Sequence, residues 1–214
     1  MNKKYLVIPV MLFAAACSQK PGNFADKTTT DTANVKAGTN GADSDKTITP
    51  DTAAQIIPGK RIGHISIGEP MENLTTALGK PDSSDAGMGA EQLTWFSVGH
   101  RSGYRTDVYG HANFNGKDDN IRPVKLISVS SPMFKTNEGF GVNGDYNTIK
   151  RRYALQHVAT YTNTNTKLYD DIASGIALEI DKNDKCVAVL VHAPGDSVAS
   201  RIALKPGLEP VSKK

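Results

Sequence analysis

A short pattern of apolar and turn residues occurs twice in this chain, which points to a fold built from two like halves. Ile65-Ser-Ile67-Gly68 is an alternating apolar pair closed by a turn residue. Met71, Leu74 and Leu78 follow at i, i+3 and i+7, one face of a short helix. Pro70 suits the first helical turn, where its missing N–H is not needed. Gly79 suits a left-handed position at the helix end, and Pro81 stops any continuation. At an offset of 75, Phe140-Gly-Val142 repeats the apolar pair. Asp145 is a good N-cap there, and Tyr146, Ile149 and Tyr153 repeat the helical face.

Strand patterns follow each helix. In the first half, residues 93–96, 108–114 and 124–129 read as strands. Asn115-Gly116 marks the turn between the last two. In the second half, residues 161–169 form a weak candidate, Ile176-Ala-Leu178-Glu-Ile180 alternates cleanly, and residues 186–191 form a final apolar strand. The expected fold is α+β. Two tandem repeats, each a helix plus a three-stranded antiparallel sheet, span residues 56–132 and 133–195 and share one domain, since either alone is too small to be stable. Residues 196–214 form a tail holding Val198, Ile202 and Leu204, either a docked helix or an extended arm.

The first 55 residues differ in character. Lys3 and Lys4 precede an apolar run, then Ala14-Ala15-Ala16 and Cys17. That order reads as a signal peptide over residues 1–16, and the run is too short to span a bilayer. A cysteine directly after small residues resembles the bacterial lipobox, which implies lipidation of Cys17. Residues 18–55 contain only Phe24, Val35 and Ile48 as large apolar residues, so residues 17–55 read as a lipidated cysteine and a disordered tether. Removing residues 1–16 leaves 23 basic against 22 acidic residues, a balance that argues against nucleic acid as a partner. Cys186 is then the one remaining thiol beyond Cys17. It lies in an apolar run and reads as core.

Gly68-Glu-Pro-Met71-Glu-Asn-Leu74-Thr-Thr-Ala-Leu78-Gly79-Lys-Pro81, followed by Trp95-Phe96, resembles the first helix and strand of the BamE-type outer-membrane-assembly lipoproteins. A tandem copy of such a unit is similar to the β-lactamase-inhibitor-protein architecture. The resemblance covers about thirty residues closely, and those residues are structural. It implies binding of other proteins through a sheet face and loops rather than catalysis, and it supplies no contact residues.

Other motifs read as structure. Gly139-Phe-Gly141-Val-Asn-Gly144 spells a phosphate-loop pattern, but no apolar strand precedes it, so its glycines read as turns. His64, His100, His111, His157 and His192 show no metal-ligand spacing, and no metal or other cofactor is expected. Asp181-Lys-Asn183-Asp184 reads as a polar turn, and Lys150-Arg-Arg152 as a solvated helix face. The segments 81–92 and 98–105 read as loops inserted only in the first half. Met88 lies in one, and Arg101, Tyr104 and Arg105 lie in the other. These four residues are the expected partner contacts, because Tyr and Arg anchor interfaces.

The sequence therefore points to a non-catalytic lipoprotein of the bacterial envelope. Ser18 after the lipidated cysteine favours the outer membrane. The module would bind or scaffold another envelope protein. One alternative is an inhibitor or small-ligand sensor of the periplasm, for which a pocket of Trp95, Tyr109 and Phe114 would speak. The other is a hydrolase without a recognisable motif.

Overall fold

The computed structural model describes residues 52–99, 102–113, 121–198 and 208–211. The leader, Cys17 and nearly all of the tether lie outside them, as do His100, Arg101, Phe114 and the Asn115-Gly116 turn. The described residues belong to one unit, Thr47–Lys214.

A single 3-10 turn (Thr52–Ala54) leads into three two-residue strands, β1 (Ile56–Ile57), β2 (Arg61–Ile62) and β3 (Ile65–Ser66), which pair antiparallel as a small sheet. Helix α1 (Met71–Leu78) is followed by β4 (Ser83–Gly87), β5 (Ala90–Phe96), β6 (Arg105–His111) and β7 (Val124–Val129). Helix α2 (Tyr146–Ile149) is followed by β8 (Gln156–Tyr161), β9 (Thr166–Asp171), β10 (Ile176–Ile180) and β11 (Cys186–His192). A last strand, β12 (Leu208–Pro210), pairs antiparallel with β8. Nine strands form one antiparallel sheet in the order β12-β8-β9-β10-β11-β7-β6-β5-β4.

This arrangement overturns the expected α+β fold of two tandem helix-plus-three-stranded repeats. The described chain is mostly β, with two helices of eight and four residues. Each half contributes a four-stranded meander to one shared sheet, joined where β7 pairs with β11. Two segments were misread. Ser83-Ser-Asp-Ala-Gly87, expected as a loop, is edge strand β4; four of its five residues are exposed, so no apolar alternation marks it. Residues 161–169, expected as one strand, are the ends of β8 and β9 and the turn between them, where Asn165 has φ +54°. In the described part of the tail, β12 makes the 208–210 stretch an extended arm.

Local chemistry explains the helix ends. Pro70 precedes α1 in an extended conformation (φ −63°, ψ 134°), and Gly79 ends it at φ +77°. Trp95 Nε1 donates to the Gly79 carbonyl at 3.1 Å, which ties the helix end to β5. At α2 the Asp145 carboxylate accepts from Thr148 N at 3.0 Å and from Thr148 Oγ1 at 3.2 Å, as an N-cap should. Asp145→Ala is expected to lower stability by about 1 kcal/mol in urea titration. An unchanged midpoint would deny the cap any role.

The main core lies between one face of the sheet and α1, α2 and the small sheet. Alternate residues supply it: Ile176, Leu178 and Ile180 on β10, and Val189 and Val191 on β11. Met71 and Leu74 press from α1, and Gly110 on β6 leaves the room that Met71 fills, since a Cβ there would lie 2.4 Å from Met71 Cγ. Cys186 is buried in this core, and burial pushes its thiol up to about 12.

The other face carries a smaller cluster of Leu126, Ala159, Leu168, Ala177, Ala188, Leu190 and Val198. This face is concave. In a flat sheet β8 and β6 would stand five strand spacings apart, roughly 24 Å. Here Arg105 of β6 and Tyr161 of β8 line the same cavity, and the Tyr161 hydroxyl feels the charge of Arg105. The sheet curls to bring them together.

Candidate functional site

Period-two alternation builds the concave face. Leu93 and Trp95 on β5 point into the main core, which turns Gln92 and Thr94 to the opposite side. Likewise Val108 on β6 faces the core, and Arg105 and Asp107 face the concavity. Glu179 on β10 alternates with Leu178 and Ile180 in the same way. The result is a cavity of about 550 Å³, lined by β4, β5 and β6 on one side and by β8, β9, β10 and the β8–β9 turn on the other.

Hydrogen bonds hold its walls in place. Asp107 Oδ1 accepts from Thr94 Oγ1 at 2.6 Å and from Arg105 Nε at 2.8 Å, and lies 2.8 Å from Arg105 Nη2. Asp107 is 7% exposed and Thr94 5%, so the guanidinium neutralises a nearly buried carboxylate. Across the cavity, the Tyr161 hydroxyl donates to Glu179 Oε1 at 2.7 Å. Burial first, and the Glu179 carboxylate second, hold the Tyr161 hydroxyl well above its ordinary range. It therefore stays protonated and acts as a donor.

A second cavity of about 540 Å³ lies on the same face, lined among others by Tyr109, His111, Lys125, His192, Ser197 and Val198. His192 is 2% exposed and Asp170 1%. Asp170 Oδ1 meets His192 Nε2 at 2.9 Å, while Oδ2 accepts from Ser197 Oγ at 3.0 Å and Val198 N at 3.1 Å. His192 Nδ1 lies 2.9 Å from the Ala193 carbonyl. Both ring nitrogens thus face acceptors, the arrangement an imidazolium needs. Burial pushes His192 down, but the bonds to Asp170 and Ala193 and the Asp170 charge outweigh it, and the net shift is upward. Ser197 bonds to Asp170 and not to the imidazole, so these groups are not a nucleophile and its base. They form a clasp that fastens residues 197 and 198 against the sheet.

The expected contact residues separate. Arg105 lines the first cavity, ion-paired to Asp107. Tyr104 is 51% exposed beside it, at the β5–β6 end. Met88 is 96% exposed in the β4–β5 turn, at the far end of β5, roughly 20 Å away. Arg101 lies outside the described residues. The expected pocket of Trp95, Tyr109 and Phe114 is not assembled: Trp95 packs on the main core, Tyr109 packs on the opposite face, and Phe114 lies outside the described residues. Sequence reading missed Gln92, Thr94, Asp107, Tyr161 and Glu179. For Gln92, Thr94 and Glu179 the signal was a polar residue set against apolar neighbours on β5 and β10, whereas β6 and β8 carry no such alternation.

Among the described residues, no group of three or more His, Cys, Asp and Glu side chains could hold a metal ion. Asp181 instead closes its own turn, accepting from Asn183 N and Lys185 N at 2.9 Å each. Arg152 on the α2 side pairs with Glu138 at 3.2 Å in solvent.

No protein-family model matches this chain, and no curated protein does. Two solved structures are similar at low level. An extracellular protein containing an SCP domain from Bacillus anthracis str. Ames shares 15% identity at a TM-score of 0.38, over 69% of this chain and 50% of that one. A DUF4309 family protein from Bacillus subtilis subsp. subtilis str. 168 shares 12% identity at a TM-score of 0.39, over 63% of this chain and 88% of that one. This chain thus spans half the length of the first.

Proposed function

We propose that the chain is a non-catalytic lipoprotein of the bacterial envelope, anchored through an acylated Cys17, that binds an envelope component on the concave face of its sheet. The observation that carries the binding reading is the polar cavity of about 550 Å³ whose walls are fixed by cross-strand hydrogen bonds. Two groups that could do chemistry are committed to structure. Cys186 is buried with a raised pKa, and His192 is held at both ring nitrogens. Lys3, Lys4, the apolar run and Ala14 to Ala16 before Cys17 are compatible with a secreted or envelope protein. No helix among the described residues is long and apolar enough to cross a membrane. Outer-membrane placement, which Ser18 favours, belongs to this same proposal.

Two measurements test it. Labelled palmitate fed to cells should enter the full chain and not Cys17→Ala, and the variant should leave the membrane fraction. Photo-crosslinking residues placed at Gln92 and Asn163 should capture an envelope component, whereas one at Glu72, on the exposed side of α1, should not. Turnover of a substrate by the purified chain, abolished by one side-chain change, would overturn the non-catalytic reading.

A further inference from the structure

We infer that the cavity between β4–β6 and β8–β10 is a saccharide site that takes a neutral oligosaccharide. This rests on the reading of the concave face as the binding face. The volume of about 550 Å³ falls within the range of small-molecule sites. None of the ten residues that line it is aliphatic, which disfavours an acyl chain or other apolar ligand. Seven are neutral: Ser83, Gln92, Thr94, Tyr161, Asn163, Thr164 and Thr166. Their hydroxyls and amides both donate and accept, as sugar hydroxyls do.

Charge narrows the choice. Asp85 and Glu179 stand in the lining against Arg105 alone, and Arg105 is already neutralised by Asp107. An anionic ligand would meet a net negative wall. A cation would need carboxylates held for it, but Asp107 Oδ1 already takes Thr94 and Arg105, Glu179 Oε1 takes Tyr161, and Asp85 stands exposed to water on edge strand β4, where a lone carboxylate attracts a cation only weakly. Apart from Asp85, these bonds leave the neutral hydroxyls and amides of the strands and of the β8–β9 turn as the hydrogen-bonding groups on offer. Such a surface recognises many hydroxyls at once with little ordering cost.

The test uses the full chain in detergent micelles on a printed glycan array. The array carries tetramers of glucose and N-acetylglucosamine (neutral), of glucosamine (cationic) and of glucuronate (anionic). At least one neutral tetramer should bind and both charged ones should not. In calorimetry with that tetramer, Gln92→Ala and Asn163→Ala should each weaken binding by about fivefold, one lost hydrogen bond apiece. Glu72→Ala should leave it unchanged, and circular dichroism should show all three variants folded. Binding of a charged tetramer alone, binding of none, or neutral binding insensitive to both variants overturns the saccharide site. If no glycan binds while the crosslinkers at Gln92 and Asn163 capture a protein, the inference falls and the binding face stands. If neither happens, both fall.

Discussion

Asp170→Ala is expected to cost about 3–5 kcal/mol at pH 6, because it leaves a buried imidazolium without its counter-charge. It also strips the acceptor from Ser197 Oγ and Val198 N, both held by the same carboxylate. Urea unfolding at pH 6 measures the effect, and a loss under about 1 kcal/mol would show that the clasp carries no weight. The wild type should also respond to pH. The folded-state pKa of His192 is raised above its ordinary 6.5, so the folded protein holds this proton more tightly than the unfolded chain does. That contribution is complete below pH 6.5 and is lost as pH rises through the raised value. Asp196 adds to the upward shift, and His111 and Lys125 line the same cavity. The stability of Asp170→Ala should therefore fall less with rising pH than that of the wild type. Parallel pH profiles would remove His192 from the explanation.

Gly175→Ala is the second large effect. Gly175 opens the turn into β10 at φ +70°, where an L side chain is strained. An added Cβ would lie 2.4 Å from the His192 carbonyl oxygen and 2.6 Å from Gly59 Cα. Both neighbours are backbone and neither can swing aside. Gly59 itself has φ +73° and donates to the Gly175 carbonyl at 3.1 Å. The loss should be about 3 kcal/mol from strain and overpacking together, a fall in Tm on the order of 10 °C for a unit this size. Gly79→Ala is the matched control. Its φ is +77° and its ψ −173°, a conformation reserved to glycine, but nothing lies within 4 Å, so it carries strain alone and should cost about 2 kcal/mol. Equal losses for the two would show that the Gly59–Gly175 contact adds nothing.

What the sequence could reveal was local. The α1 face, its glycine stop, the Asp145 cap and the alternation of β10 all depend on neighbours within a few residues. Strand β4 was missed because an edge strand exposed to water needs no apolar alternation. The β8–β9 hairpin was missed because the threonines of Thr162-Asn-Thr-Asn165 suit a strand and hide the turn that its asparagines favour. The clasp was beyond reach for another reason. Asp170 meets His192 because β10 holds β9 and β11 in register, with Ala177 opposite both Asp170 and Leu190. Only pairing brings such residues together. Arg105 was legible as a binding candidate, but as an interface anchor in a loop, whereas it is the first residue of β6 and salt-bridged to Asp107. The rest of the cavity is polar by alternation and shares no motif.

The seam between β7 and β11 bears on how such a chain is made. Its partners come from opposite halves of the sequence, with Val129 against Val189 and Ile127 against Val191. A chain synthesised from its N-terminus has residues 124–129 available well before residues 186–192 exist. Until they arrive, β7 is an apolar strand with one edge unpaired, an invitation to wrong neighbours. The finished molecule hides that edge at the middle of its sheet. For the growing chain it is the most hazardous surface, and synthesis halted before Cys186 would release aggregates instead of a soluble half.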